Sequence, residues 1–337
     1  MLNAKELREL HFKIPTGYGL MGHTWRSEPT RKEQSFKAID EAVELSGEIG
    51  LYNIGEFYGP EFSNLHLARD YLKARPQNRS KMIFNCKGSI DVPSLKPKGS
   101  YADVTKSIET CVEHFGGPID IYEVARIDAE LAGDKLYPRE TFDAMVDAIK
   151  RGLIGGISLS EVTAEQIRAI HADYGQYLCS VEIEVSLFSR DNIFNGVLDA
   201  CNELGLPVLC YSPLGRGLLT GNIAGLKDIP EGDFRLRLKR FQGDSMNSNL
   251  LLVEFLKREI VAKSKTGITL PQVALGWVRS LNEKYTGTHL LPIPGGSTAA
   301  RVSENMALKK LSPEELSKIN EFLSGFTTVG GRYEMAE

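Results

Sequence analysis

Several common signs of function are missing from this 337-residue chain. No apolar run approaches the ~18 residues that a membrane-spanning helix needs, so no membrane span is expected. The five cysteines (Cys86, Cys111, Cys179, Cys201 and Cys210) are odd in number, scattered and never spaced C-x-x-C. That argues against a disulfide framework and for reduced thiols in the cytoplasm, with the nucleus as an alternative. The six histidines are just as dispersed, with no H-E-x-x-H and no Cys/His cluster, so no metal site is expected. Neither sign of charge dominates: 40 Lys and Arg against 44 Asp and Glu leave a net charge of -4, which argues against nucleic acid as a partner. No G-x-G-x-x-G opens a helix, so the usual dinucleotide fingerprint of an open doubly wound sheet is absent. Met1 to Leu10 mixes Lys5, Glu6, Arg8 and Glu9 among leucines, unlike a secretory signal.

What the chain does have is alternation. Strand candidates lie at Gly17–Met21, Ile49–Ile54, Lys81–Cys86, Ile119–Val124, Leu153–Ile157, Val181–Leu187, Leu206–Tyr211 and His289–Ile293. Helical periods separate them: Phe36, Ile39, Ala42 and Val43 after Pro29-Thr30, then Leu65–Leu72, Val104–Phe115, Thr141–Lys150 and Ile193–Leu204. Thr163-Ala-Glu-Gln166 has capping-box spacing ahead of Ile167 and Ile170. Asn249–Lys263, Leu270–Asn282, Ala299–Met306 and a last helix from Ser312 to Leu323 follow. Strand then helix repeated eight times predicts parallel strands with helical crossovers, an α/β fold best read as a closed (β/α)8 TIM barrel. Such barrels often exceed ~250 residues as one domain. The expectation is therefore a single domain over 1–337, with a core at about 17–323 and a loosely held tail at 324–337. A long loop from Ser212 to about Asp244, carrying the basic run Arg235–Arg240, follows strand seven. The run reads more readily as a solvated face than as a phosphate contact.

In a barrel, chemistry gathers at the C-terminal strand ends. These are Asn53 to Tyr58, Lys87, Ala125-Arg126, Ser158, Glu182 and Glu184, Tyr211-Ser212 and Pro294-Gly295. Tyr58, on the loop beyond Gly55, has an ordinary reading as a packed amphipathic residue, and Lys87 one as a snorkelling strand end. Side by side they suit acid catalysis, because an ammonium favours phenolate and lowers a phenol's pKa from about 10 toward a useful value.

The order Tyr58, Lys87, Ser158, then Tyr211-Ser-Pro-Leu-Gly-Arg-Gly217, resembles the aldo-keto reductase family, and Ile293-Pro-Gly-Gly-Ser297 through Arg301-Val-Ser-Glu304-Asn305 strengthens the likeness. It covers about Gly17 to Leu323. Gly19-Leu-Met-Gly-His-Thr-Trp25, Gly55-Glu-Phe-Tyr-Gly59 and Glu123-Val-Ala-Arg-Ile-Asp128 look like the pyridoxal reductase branch. The resemblance implies a barrel that binds extended NADPH and reduces a small-molecule aldehyde or ketone by direct hydride transfer. Tyr58 would be the proton donor, Lys87 its tuner and Asn53 their partner. Tyr211 would stack on the nicotinamide, Ser158 and Glu182 would hold its carboxamide, and Gly19 and Leu20 would lie against the cofactor. Ser212, Leu214, Gly217 and Leu218 would line the pyrophosphate. Ser297, Thr298 and Arg301 would meet the 2′-phosphate, and Glu304 and Asn305 the adenine. Trp25, Ala125 and Arg126 would face the substrate.

The chain departs from the family pattern at several of these positions. The usual Asp, Tyr, Lys, His tetrad has Asn53 in place of Asp and Ala125 in place of His. Asn53 can still hydrogen-bond Lys87 but brings no negative charge. Leu159, Glu182 and Gly295 stand where asparagine, glutamine and lysine are frequent. Without the resemblance, Arg301 and Glu304 would read as a surface pair three residues apart. Pyridoxal reduction to pyridoxine is the leading expectation. Reduction of another aldehyde or ketone, or a regulatory NADPH-binding subunit with weak catalysis, are the alternatives. Oligomeric state is left open.

Overall fold

Strands this apolar need cover on both faces, which a barrel wrapped in helices supplies. The computed structural model describes residues 1–92 and 94–335. Eight parallel strands form one sheet in chain order: β1 (Tyr18–Gly19), β2 (Gly50–Gly55), β3 (Met82–Gly88), β4 (Ile119–Val124), β5 (Ile154–Ser160), β6 (Leu178–Glu184), β7 (Val208–Tyr211) and β8 (Leu290–Pro292). The first and last strands meet. Gly19 bridges Gly295, and the Gly17 N–H donates to the Pro292 carbonyl at 3.0 Å. The sheet is the expected barrel.

Helices α1 (Lys32–Ser46), α2 (Ser63–Ala74), α3 (Tyr101–Phe115), α4 (Arg139–Lys150), α5 (Ala164–Tyr174), α6 (Val197–Leu204), α7 (Leu270–Ser280) and α8 (Ala299–Met306) follow the strands. The extra helix Pro313–Ser324 ends the series. The expected capping boxes form at Thr163 and Ser312. No helix among the described residues is long and apolar enough to cross a membrane.

Several local expectations need correction. β3 runs on to Gly88, so Lys87 lies inside the strand rather than after it. β6 stops at Glu184, because Ser186 and Ser189 exchange backbone hydrogen bonds and turn Val185 and Leu187 out of the ladder. The helix expected over Ile193–Leu204 breaks at Gly196, whose φ of 85° is open to glycine but strained for other residues. A helix at Ala4–His11, opened by an Asn3/Glu6 capping box, was not foreseen. It plugs the barrel floor, where Ala4 and Leu7 pack with Ile14, Leu51, Ile83 and Ile121. A hairpin of Ile90–Asp91 with Lys96–Pro97 was also missed.

The tail is not loose over its described length. Asn249 and Val329 exchange two hydrogen bonds of 2.9 Å, Arg332 pairs with Glu161 at 2.7 Å and Lys239 with Glu334 at 2.6 Å. Residues 336–337 lie outside the described part. The basic run is a solvated face only in part, at Arg237 and Lys239. Arg235 forks onto Asp233, Arg240 is buried beside Ser189 and Glu184, and Lys239 holds the tail.

Candidate active site

Alternate residues of a strand share a face. On β2, β3 and β4 the inward series are Leu51-Asn53, Ile83-Asn85-Lys87 and Ile121-Glu123-Ala125. Leu51, Ile83 and Ile121 belong to the apolar floor. One step toward the C-terminal mouth the interior turns polar, with Asn53 opposite Asn85 and Lys87 opposite Glu123 in register. Glu182 reaches in from β6 and gathers the layer. Its Oε1 accepts from Lys87 Nζ at 2.6 Å, and its Oε2 from Asn53 Nδ2 at 2.6 Å and Asn85 Nδ2 at 3.1 Å. Glu123 Oε1 lies 3.3 Å from Lys87 Nζ. Both glutamates are buried, and neither Glu123 oxygen has a hydrogen-bond partner among the described residues.

These contacts change the electrostatic expectation. Burial opposes the charge on Lys87, but Glu123 and Glu182 outweigh it and raise its pKa well above the ordinary value. Burial, then the charge of Glu182, pushes Glu123 up to about 8, with Lys87 pulling the other way. Tyr58 is raised rather than lowered. Burial is the main cause, Lys87 opposes it, and Glu182 and Glu123 add to it. The ammonium pulls the phenol down, but burial together with the neighbouring carboxyl groups outweighs it. Asn53 was expected to meet Lys87, yet its amide donates to Glu182.

Local chemistry explains where Tyr58 sits. A Cβ at Gly55 would lie 2.8 Å from two Tyr58 ring atoms, so only glycine lets the ring fold back over the strand end. Asn64, buried on α2, fixes the turn. Its Oδ1 accepts from the Gly55 N–H at 3.1 Å, and its Nδ2 donates to Leu20 O and Thr24 Oγ1. Thr24 donates to the Tyr58 carbonyl. Trp25 stacks beside Tyr58 at 5.9 Å and 28°, half open to solvent. Ala125 is buried at the end of β4, while the guanidinium of Arg126 lies 5.3 Å from the Tyr333 ring centroid.

The residues expected around a nucleotide fall on the β7 and β8 side. Tyr211 presents its ring to Lys87 at 5.4 Å and its hydroxyl to Tyr333 at 3.0 Å. The turn beyond it holds Ser212 and Arg216 at φ of 48° and 54° and Gly217 at 102°, a left-handed run that is costly for side-chain-bearing residues. Leu214 and Leu218 are buried beneath this turn. Within it, Arg216 Nε is buried with no hydrogen-bond partner, and the other end of its guanidinium reaches Glu184 at 3.5 Å. Thr298 caps α8, Asn305 bonds the Gly295 carbonyl, and Glu304 lies on the same helix. Arg301 is exposed and forms no ion pair among the described residues, so the surface pair with Glu304 is not made. Ser297 lies just ahead of α8 and binds Gln34 through its carbonyl. Gly19 donates to the Pro294 carbonyl, Leu20 to that of Asn53, and Ser158 to that of Ser180.

The structure thus gathers Lys87, Asn53 and Glu182, sets Trp25 against Tyr58, and places the Arg126 guanidinium over Tyr333, whose hydroxyl bonds that of Tyr211. Sequence reasoning passed over Glu123, Asn64 and Tyr333. Counting inward positions on β4 from Ala125 would have exposed Glu123. No local pattern marks the other two.

The family model "Aldo/keto reductase family" matches residues 15–324. A putative pyridoxal reductase of Saccharomyces cerevisiae is 49% identical, over 99% of this chain and 100% of its own length. A probable pyridoxal reductase 2 of Schizosaccharomyces pombe is 34% identical over 96% and 95%. Among solved structures, a glycerol dehydrogenase from Gluconobacter oxydans superposes with a TM-score of 0.75 at 19% identity, covering 93% of this chain and 92% of that one, which speaks to the fold. By sequence and by fold, this chain belongs to the aldo/keto reductase family.

Proposed function

We propose that this enzyme reduces pyridoxal to pyridoxine with NADPH. What supports the reading is Tyr58 stacked against the half-open Trp25 ring and within the electrostatic reach of Lys87. Two relatives bearing pyridoxal reductase names, matched over nearly their full lengths, favour this aldehyde over others.

The residues fit the cofactor. An unpartnered Arg216 Nε within a left-handed turn offers a buried donor to a pyrophosphate. The free guanidinium of Arg301 on the first turn of α8 suits a 2′-phosphate, which favours NADPH over NADH. When bound, the dinucleotide supplies the hydride. Tyr58 holds the proton that goes to the carbonyl oxygen, and its ring folds over the Gly55 and Asn64 turn. Tyr211 offers an aromatic face beside Lys87. Trp25 shields the tyrosine from water on one side and suits a flat pyridine ring. Ala125 leaves room where the family's histidine would orient the carbonyl, and the hydroxyl next to the aldehyde of pyridoxal can take over that task.

The test is NADPH oxidation with pyridoxal, pyridoxal phosphate and aromatic aldehydes with and without an adjacent hydroxyl. Pyridoxal should be turned over fastest, and the hydroxyl-free aldehydes poorly. Tyr58→Phe should keep NADPH binding and lower kcat by ~10²-fold or more, the scale of lost acid catalysis. Equal rates on all aldehydes would remove the pyridoxal assignment. Unchanged turnover in Tyr58→Phe would remove Tyr58 from the mechanism.

A further inference from the structure

The barrel interior contains more carboxylate than one lysine needs. Lys87 Nζ is held by Glu182 at 2.6 Å and by Glu123 at 3.3 Å, all three side chains being buried. Glu182 is fully engaged, its two oxygens taking three donors. Glu123 is not, since both of its oxygens are buried and lack a hydrogen-bond partner among the described residues. A buried carboxylate without donors is costly. A protonated carboxyl is not, because its O–H can turn toward Glu182 or Ser158, the two side chains within its reach. The position next to Lys87 from which Asn53 has withdrawn its charge is thus served from β4 and β6 instead of β2.

We infer that Glu123 is a positioning residue for the reduction: carrying a proton, it leaves Lys87 one carboxylate to answer, and losing that proton weakens Tyr58 as an acid. The inference rests on the reading of Tyr58 as proton donor.

The charged and titratable groups facing Glu123 are Lys87 on β3, Glu182 on β6 and Tyr58 beyond β2. With Glu123 neutral, Glu182 is the one carboxylate opposing Lys87, so the cluster is neutral and the pull of the ammonium on the phenol is opposed once rather than twice. With Glu123 ionised the cluster carries a net negative charge, and both carboxylates hold the Tyr58 proton more tightly. The sign follows directly. The ionisable carboxyl, raised to about 8 by burial and Glu182, keeps its proton below that pH. Carbonyl reduction should therefore be favoured below about 8 and fall as pH rises through it.

The test compares kcat for reduction across pH 6 to pH 10 in the wild type, Glu123→Gln and Glu182→Gln. Glutamine keeps the shape of each side chain and never ionises. The wild type should fall through its break from a higher plateau to a lower one, as a single ionisation that weakens the acid without removing it requires. Glu123→Gln should lack that limb. Glu182→Gln should move it to lower pH, because the charge that raises Glu123 is gone. A merely structural role would change the melting temperature or scale kcat equally at every pH. Tyr58→Phe is assayed alongside. If it is as active as the wild type, the reading of Tyr58 has failed. If it is inactive and Glu123→Gln still shows the wild-type limb, the Glu123 inference has failed alone. Should Glu123→Gln misfold, an unmoved limb in Glu182→Gln would overturn it equally.

Discussion

The tightest contact at the site gives the sharpest prediction. Replacing Gly55 with alanine would place a Cβ 2.8 Å from Tyr58 Cδ2 and Cγ and 2.9 Å from its Cε2. Ordinary van der Waals contact begins near 3.4 Å, so the ring must withdraw by roughly 0.6 Å or the strand end must shift. The ring cannot swing freely, because Trp25 stacks on one side and Phe57 packs edge-on at 5.1 Å. Overpacking of this kind costs about 1–3 kcal/mol, visible as a fall of a few degrees in melting temperature. The larger effect should be on rate. Misplacing a reacting group by ~1 Å can cost ~10²-fold, so a loss of ~10- to 100-fold in kcat is expected for Gly55→Ala, with NADPH affinity unchanged. Steady-state kinetics, cofactor fluorescence and thermal unfolding read these separately. Gly22→Ala is the control, since a Cβ there meets nothing within 4 Å, and it should change neither rate nor stability measurably. In a Gly55→Ala/Tyr58→Phe double variant the rate should match that of Tyr58→Phe alone, because the displaced group no longer matters. Wild-type turnover in Gly55→Ala, or a double variant far slower than Tyr58→Phe, would refute the reasoning.

Other consequences follow from single contacts. Arg301→Ala should raise the Kd for NADPH by ~10- to 100-fold, the ~1.5–3 kcal/mol of charge-assisted hydrogen bonding, and leave NADH almost unaffected; equal loss for both cofactors would remove Arg301 from the 2′-phosphate. Asn64→Ala leaves the Gly55 N–H without its partner and takes from the Leu20 carbonyl one of its two donors, so it should cost ~1–3 kcal/mol of stability and lower kcat through the same turn. A chain ending at Ser324 lacks the Asn249–Val329 and Arg332–Glu161 contacts and the Tyr333 ring over Arg126 and Arg216. It should bind NADPH with faster association and dissociation, measured by stopped-flow fluorescence, and it should melt lower.

The fold was readable because each βα unit announces itself locally. Ile119–Val124 and Ala299–Met306 were placed to the residue, since Pro118 and the Thr298 cap fix their starts. The errors lie where apolar runs outlast the element. Val185 and Leu187 are buried yet leave β6, because packing asks for apolar residues whether or not the backbone pairs. The Ala4–His11 helix hid for a related reason: the charges among its leucines spoke only against a secretory signal, while Ala4 and Leu7 cap the barrel floor.

The site was only half readable, and the half that was missed concerns charge. Tyr58 and Lys87 show themselves as strand-end residues on neighbouring strands, each within a short motif. Their acidity depends on Glu182, 95 residues beyond Lys87, and on Glu123, 36 residues beyond it. In linear sequence Glu182 looked like a departure from a carboxamide ligand and Asn53 like a missing charge. In the barrel they are two sides of one rearrangement, since the Asn53 amide donates to one oxygen of Glu182 while Lys87 donates to the other. A carboxylate at position 53 would face Glu182 at hydrogen-bond distance, and like charges that close cannot both remain ionised. Restoring the family residue with Asn53→Asp should therefore not improve this enzyme. It should add a third buried acid around one ammonium, push the acidic break of Glu123 upward, and lower kcat at neutral pH. An Asn53→Asp variant that is faster than the wild type at pH 7 would show that the charge on β2 was simply lost, rather than moved.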